Sequence, residues 1–533
     1  MDLTDKRWKI LLLLALSGVL TGLTLIFTKI GFVQWVTLVP VGIFLLREAD
    51  SDSHKYKGLY GYGFFFFMCY YVVTYHWFVN LYPLEFIDGM TPLAAVVVVL
   101  AGCVGLSALQ AFFGGFLFVA VRLLLRTRAL RRYSVLRPFA IGGAWAIFEW
   151  SQNFGWWGVP WGRLPIAHSE YIVGLQTASL FGSYFVTFII VSVNMCVAFA
   201  LVRIAAMKLM SICVTAMLLF QYAVGALIYF IPVDSENTVR VAAVQGNIDS
   251  GEKWGSSMGA RTLSVYYEYT LKAAEAGADI VVWPETALPY KVEKNNVYGQ
   301  YCSELARAAG VTILVGGFTD GGNYNSIICV LPDGSFHQTV YSKRRLVPFG
   351  EFVPMSALIE TLIPPLAELV MSSGSVEWGE GSQIFELEEG RIGSLICFDS
   401  IYEELNLESV RDGAELICLS TYDSWFTDSA ALYMHNAQAQ LRAIETRRQI
   451  VRSANTGIST VITKRGEVIA ELAPLVDGML VEDVELHTQT TLYTRIGNLF
   501  VYLWILILLL LLGGGTVFSV QTRMKKIRST KKS

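Results

Sequence analysis

Apolar and polar positions alternate in two regimes along the chain. Uninterrupted apolar runs recur at about 10–27, 29–46, 58–80, 93–121, 139–152, 171–202 and 209–231, with a last one at 498–518. Several approach the ~20 residues that cross a bilayer as a helix. The run 139–152 is short for a span and reads as a tilted or re-entrant element. The opening Lys6-Arg7-Trp8-Lys9 before Ile10-Leu11-Leu12-Leu13-Leu14 resembles a secretory signal, but further apolar runs follow at once, which predicts a retained signal-anchor. Between 232 and 497 the period changes. Segments 239–248, 278–282, 311–316, 326–331, 391–397 and 415–420 are β-branched, bounded by Gly, Asp or Pro, and predict strands. Stretches 258–276, 297–309 and 428–446 predict helices, the last with apolar residues at helical spacing. Pro332-Asp333-Gly334 and Glu389-Gly390 predict hairpin turns, so the sheet should be mixed. The pattern implies a multi-span α-helical membrane domain (1–231, about seven spans), an α/β domain (232–497), a membrane helix (498–518) and a basic tail (519–533).

Charge changes the picture by orienting it. Only 16% of residues are charged and 54% are apolar, which excludes an ordinary soluble or disordered chain. Residues 1–233 carry 16 Lys and Arg against 9 Asp and Glu, residues 234–497 carry 19 against 35, and the last 36 carry 6 against none. With eight spans, every basic cluster falls on the cytoplasmic side: the N-terminus, 47–57, 122–137, 203–208 and the tail. The acidic block then lies outside. A block this acidic speaks against nucleic-acid binding. The eight cysteines form no CxxC pair and, with six scattered histidines, show no zinc spacing, so no metal site is expected.

Three segments could carry chemistry: Ile280-Val281-Val282-Trp283-Pro284-Glu285, Lys343 eight residues before Glu351, and Leu395-Ile396-Cys397-Phe398-Asp399. Each places a reactive group at or near a strand end, where α/β sheets display catalytic groups. Each also has a plain reading, as a turn carboxylate, a solvated Lys-Arg-Arg run and a core cysteine.

Together and in this order they resemble the nitrilase (carbon–nitrogen hydrolase) superfamily, and combined with the apolar runs they resemble its membrane-bound apolipoprotein N-acyltransferases along essentially the whole chain. Val244-Gln245-Gly246-Asn247-Ile248 with Lys253-Trp254, Tyr324-Asn325-Ser326, and Arg442-Ala443-Ile444-Glu445 before Arg452-Ser453-Ala454-Asn455-Thr456-Gly457 fit as well. The resemblance implies an αββα sandwich with mixed sheets. It also implies Cys397 as nucleophile, Glu285 as general base and Lys343 as the cation beside the oxyanion. Glu351 would orient the site, and Trp254 would lie near it. A phospholipid would donate an acyl chain to Cys397 as a thioester. The α-amino group of a diacylated lipoprotein would accept it, with no cofactor. The expected setting is a monomer in the bacterial inner membrane with its catalytic domain on the periplasmic side. The chemistry is coherent: a thiol near its ordinary pKa needs a base to take its proton, and an ammonium favours both thiolate and oxyanion.

The chain departs from the family directly after the nucleophile, where Phe398-Asp399 stands in place of Tyr-Glu. Asp399 is open between a supporting role and a helix cap. The apolar stretch 352–371 is open between a buried loop and a lipid-facing flap. Trp156, Trp157, Pro160 and Trp161 with Arg163 fit an interfacial aromatic belt. Glu149, inside an apolar run, is a functional candidate or half of a buried structural pair. Two rival functions remain, a membrane-tethered nitrilase-type amidase and a non-enzymatic lipid-binding protein.

Overall fold

A computed structural model describes residues 6–51, 54–84, 90–232, 235, 237–248, 259–320, 323–362 and 376–513. The chain divides into two compact units, one of residues 1–76, 101–230 and 496–533, the other of 77–100 and 231–495.

In the first unit the apolar runs are helical, but not all are full spans. Among the described residues, five helices are long and apolar enough to cross a membrane: Arg7–Ile26, Thr28–Asp50, Pro92–Leu125, Ser183–Val202 and Ile204–Phe230. Arg137–Ser151 has 15 residues, and Tyr56–Thr74, with Lys57 and with Tyr and Gly through its length, is not one of the five. The run 171–202 is broken at Gly182, whose φ of +80° no right-handed helix accommodates, so its long helix begins at Ser183. The run 29–46 opens as a 3-10 segment, Thr28–Val33, and is interrupted again at Leu38. A break in an apolar interior leaves backbone groups without partners unless side chains supply them. Asn194 does so here: its Oδ1 accepts from the Leu38 N–H at 2.9 Å and its Nδ2 donates to the Gln34 carbonyl at 3.0 Å.

Glu149 has a structural explanation. Its Oε1 accepts from the Leu164 N–H at 3.2 Å and its Oε2 from the Thr187 hydroxyl at 2.5 Å, so it ties a buried loop to a neighbouring helix. The aromatic-belt reading of 153–170 holds only in part. Trp157 is exposed, but Trp161 and Arg163 are buried, and the Arg163 guanidinium lies 5.1 Å over the Tyr184 ring.

The second unit contains two mixed six-stranded sheets among its described residues. The strands are β1 (Asn237–Gln245), β2 (Ile280–Val282), β3 (Thr312–Thr319), β4 (Tyr324–Val330), β5 (Phe336–Ser342), β6 (Ile384–Glu386), β7 (Arg391–Ile396), β8 (Leu416–Thr421), β9 (Ile450–Ala454), β10 (Ser459–Ile462), β11 (Val468–Leu472) and β12 (Gly478–Leu486). Their order is β12-β1-β2-β3-β4-β5 in one sheet and β11-β10-β9-β8-β7-β6 in the other. In each, three central strands run parallel: β1, β2 and β3, and β7, β8 and β9. Strands buried on both faces read as continuous apolar runs, which is why the sequence exposes them. Both expected turns close antiparallel pairs, β4 with β5 and β6 with β7.

The sheets face each other and are pinned by side chains, with Ser420 donating to the Trp283 carbonyl at 2.8 Å and Ser453 to the Val244 carbonyl at 2.7 Å. Helices Gly259–Glu275 and Val297–Ala309 cover the first sheet, Glu403–Arg411 and Ala430–Thr446 the second. This is the αββα sandwich the resemblance implies. The second of these helices is capped at both ends: Asn296 accepts from the Gly299 N–H at 2.8 Å, and Gly310 closes it at a φ of +68°.

Candidate active site

The parallel strands of the two sheets end at one place. β7 stops at Ile396, and Cys397 follows with a φ of +48° before the 3-10 turn Cys397–Ile401. A left-handed conformation at a residue with a Cβ costs of order 1–3 kcal/mol and persists only where surroundings enforce it. Three hydrogen bonds do so. Asp399 Oδ2 accepts from the Ile396 N–H at 3.1 Å, the Ser400 hydroxyl donates to the Cys397 carbonyl at 2.8 Å, and His435 Nε2 lies 3.2 Å from that carbonyl.

Glu285 arrives three residues past β2. Its Oε1 accepts from Lys343 Nζ at 2.8 Å and from Asn325 Nδ2 at 2.7 Å, and its Oε2 from the Tyr422 N–H at 2.9 Å. The passage is tight: a Cβ on Gly316 would sit 2.0 Å from the Pro284 carbonyl oxygen. Lys343 directly follows β5 and also reaches Glu351, at 3.0 Å. Asn325 bridges the two carboxylates, donating to Glu351 Oε1 at 3.2 Å, while Glu351 Oε2 accepts from the Val347 N–H at 2.8 Å. Glu285 and Lys343 are both buried. A buried ammonium shared by a buried carboxylate and a half-buried one is a strong electrostatic unit, since removing one member strands the others.

The charges set the protonation states. Burial acts to lower the Lys343 pKa, but Glu285, Glu351 and Cys397 outweigh it and hold the ammonium well above the ordinary lysine range. Burial pushes the Cys397 thiol far up, helped by Glu285 and Asp423 and opposed by Lys343 and the Thr421 hydroxyl. Cys397 is therefore held as a thiol, and any attack by its sulfur would need a base to take the proton.

Asp399 is a clamp. Its Oδ1 accepts from the Arg344 and Arg345 N–H groups at 3.2 and 2.7 Å, and its Oδ2 accepts from the Tyr341 hydroxyl at 2.8 Å besides the Ile396 N–H. It thus locks the Lys343 strand end to the Cys397 turn, which a helix cap alone would not do. Burial lifts its pKa to about 6, with Lys343 and its donors opposing, so at neutral pH it is an ionised acceptor. Asp399→Asn replaces one of those oxygens with an NH2 donor, which faces the Ile396 N–H even when the remaining oxygen keeps the Arg344 and Arg345 N–H groups. Acyl-enzyme formation is expected to fall on the order of 10²-fold, as a displaced reacting group typically costs. Rapid-quench mass spectrometry of the adduct checks this, and an unchanged rate would leave Asp399 a passive cap.

Of the expected site residues, Glu285, Lys343, Glu351, Asp399 and Cys397 converge. Trp254 lies outside the described residues. So does the end of the apolar stretch 352–371; within its described part, Met355 and Leu358 are exposed and Phe352 packs edge-on against Trp378 at 5.0 Å. Asn325, Tyr341, Thr421, Asp423 and His435 went unassigned by sequence reasoning. Asn325 stands in a quoted motif, but nothing local marks the others, most of whose partners come from other segments of the chain. Ligand atoms of Cys397, Asp423 and His435 lie within 4.8 Å of one another, a grouping no spacing rule reveals. It is a poor cation site, because the Arg452 guanidinium contacts Asp423 Oδ2 and lies 3.2 Å from His435 Nδ1.

The carbon–nitrogen hydrolase family matches residues 240–492, and the apolipoprotein N-acyltransferase N-terminal domain matches residues 17–196. Apolipoprotein N-acyltransferase from Geobacter metallireducens is 30% identical over 507 residues, covering 92% of each chain. The one from Gloeobacter violaceus is 30% identical over 491 residues, covering 91% of this chain and 90% of its own. Among solved structures, a mutant of the amidase from Nesterenkonia sp. AN1 covers 50% of this chain and 98% of its own at 14% identity, with a TM-score of 0.37. The carbon–nitrogen hydrolase match over the two-sheet unit, together with the long apolar helices and the full-length relatives, makes this a membrane protein of the carbon–nitrogen hydrolase superfamily. Within that class, the chain belongs to the apolipoprotein N-acyltransferase family.

Proposed function

We propose that this protein acylates the N-terminal amine of diacylated lipoproteins through a thioester at Cys397, with Glu285 as base and Lys343 beside the oxyanion. The observation that carries the reading is the buried contact of Lys343 Nζ with Glu285 and Glu351 beside the strained Cys397 turn. Glu285 takes the thiol proton as sulfur attacks the ester carbonyl of a phospholipid, and the Lys343 ammonium faces the developing oxyanion. Collapse expels a lysophospholipid alkoxide, which receives the proton from Glu285. The α-amine of the lipoprotein's S-diacylglyceryl-cysteine then attacks the thioester, Glu285 takes its proton, and as the tetrahedral adduct collapses to the amide Glu285 returns that proton to the departing Cys397 sulfur. One carboxylate serves both halves because it returns to its starting state after the first. Asn325 and Glu351 keep it and Lys343 in register.

Both substrates carry acyl chains, which gives a physical reason to anchor the catalytic block, residues 232–497, between membrane helices. Charge supports its placement on the periplasmic side. An impermeant amine reagent on intact cells is expected to label the exposed Lys291 and Lys294 and to spare Lys525 and Lys526. The opposite pattern would reverse the orientation.

The functional test is product analysis. Enzyme loaded with phospholipid and then given a diacylated lipopeptide is expected to lose its adduct and yield an N-acyl amide. Free fatty acid with no amide would make the protein a hydrolase instead.

A further inference from the structure

Behind the nucleophile turn lies a buried polar cluster that the mechanism above does not use. Asp423, just past β8, and Arg452, within β9, are bonded to each other through Asp423 Oδ2 and Arg452 Nη2. Asp423 Oδ1 accepts from the Thr421 hydroxyl at 2.9 Å and lies 3.1 Å from His435 Nδ1. On the other side of the ring, His435 Nε2 lies 2.9 Å from Ser400 Oγ and 3.2 Å from the Cys397 carbonyl oxygen. His435, Asp423 and Arg452 are at most 1% exposed.

The contacts select a protonation state. With the ring proton on Nδ1, two contacts oppose like groups: Nε2 against the Cys397 carbonyl, and Arg452 Nη2 against the Nδ1 hydrogen. With the proton on Nε2, Arg452 donates to Nδ1, Nε2 donates to the carbonyl and to Ser400 Oγ, and Ser400 donates to the carbonyl in turn. One contact then opposes two acceptors, Nδ1 against Asp423 Oδ1 at 3.1 Å, and it is eased because that carboxylate is already held by Thr421 and Arg452. Burial and the Arg452 charge oppose a second proton, against Asp423, so the ring is neutral. Both nitrogens are engaged, so His435 is not a rival base for the thiol.

We propose that His435 is a positioning residue for acyl transfer, whose Nε2–H grips the carbonyl of Cys397 and holds the nucleophile in its left-handed conformation facing Lys343. This rests on the reading of Cys397 as the acylated residue. The aspartate and arginine orient the imidazole, and Ser400 shares the carbonyl. Without the grip, Cys397 relaxes toward an ordinary φ, and its sulfur swings away from the ester carbon.

Side-chain length provides the test. Glutamine at 435 carries an amide N–H about as far out as Nε2, whereas asparagine reaches only the Nδ1 position. Full-length wild type, His435→Gln, His435→Asn and Ser400→Ala, in detergent with phospholipid micelles, are compared by the rate of acyl-adduct formation on the Cys397 peptide. Folded amount is normalised by thermal unfolding. For His435→Asn, kcat is expected to fall on the order of 10²-fold while KM for phospholipid stays within about twofold. His435→Gln recovers to within about tenfold of wild type. Ser400→Ala, a small change that keeps the fold, loses about tenfold, and combining it with His435→Asn costs less than the product of the two. Equal kcat for Asn and Gln, or losses that follow folded amount alone, would make the cluster merely structural and overturn the proposal. If His435→Asn does not fold, Ser400→Ala decides: an unchanged kcat overturns it. Absence of any adduct on Cys397 in wild type removes the nucleophile assignment and this inference with it. Normal acylation of Cys397 in every variant removes this inference alone.

Discussion

Cys397→Ala is expected to abolish acyl-enzyme formation, a loss on the order of 10⁶-fold where a covalent nucleophile is removed. Cys302→Ala, Cys329→Ala and Cys418→Ala should each retain the adduct. The distinction is geometric. Those three thiols are packed in the sheet and helix core, at most 1% exposed. Cys397, by contrast, is only partly buried. Cys397 alone among them feels Lys343, lies at a strand end, and is held in a left-handed turn. Intact-mass analysis after incubation with phospholipid reads the result. A hydroxylamine-sensitive acyl adduct that persists in Cys397→Ala would sink the assignment.

Glu285→Gln and Lys343→Met should both fail, but with opposite pH behaviour. Glutamine keeps the shape of Glu285 and its acceptor oxygen, but takes no proton. The rate falls ~10²–10⁴-fold, and hydroxide then substitutes for the missing base. Because burial keeps Cys397 protonated far above its ordinary range, recovery should climb through pH 9.5 without a plateau. If Lys343 faces the oxyanion as proposed, Lys343→Met is expected to cost ~10²–10³-fold, a loss that alkali does not restore. It also leaves Glu285 and Glu351 sharing Asn325 with no cation between them. Breaking a buried ion pair from one side costs about 3–5 kcal/mol, so the midpoint of thermal unfolding should drop as well. Titration of Lys343 does not confuse the comparison. Its folded pKa is raised, so the stability it contributes is fully present below the ordinary lysine pKa and is lost only as pH rises through the higher folded value. Across pH 6 to 9.5 that contribution is constant. The measurement is single-turnover acylation of both variants over this range. Recovery of Lys343→Met with a flat Glu285→Gln would exchange the two roles.

Much of the fold was legible because burial writes itself into composition. The six expected strands are present, with ends shifted by a few residues, and they are the apolar ones: β1, β2, β3, β4, β7 and β8. Those missed are β5, β6, β9, β10, β11 and β12. β5, β11 and β12 are half-exposed, with mixed patterns that do not separate from loops. β9 and β10 are fully buried but carry Arg452, Ser453, Ser459 and Thr460, whose polar groups find partners only in the folded sandwich. Hydropathy likewise located the membrane helices but not their breaks. The residue that satisfies the break at Leu38 is Asn194, 156 positions away.

The site divides along the same line. The sequence offered the cysteine, the two glutamates and the lysine as candidates at or near strand ends, each with an equally plain reading by itself, and it was the resemblance to the nitrilase superfamily that attached roles to them. Only the tertiary structure decided what these groups do to one another. It gave Lys343 to both carboxylates at once, made Asp399 a clamp between two segments, and set His435 beneath the Cys397 carbonyl from a helix 38 residues on. The physical reason is that hydrophobic pattern reports whether a residue is buried, whereas hydrogen bonds and charge pairs depend on which segments the two sheets bring face to face.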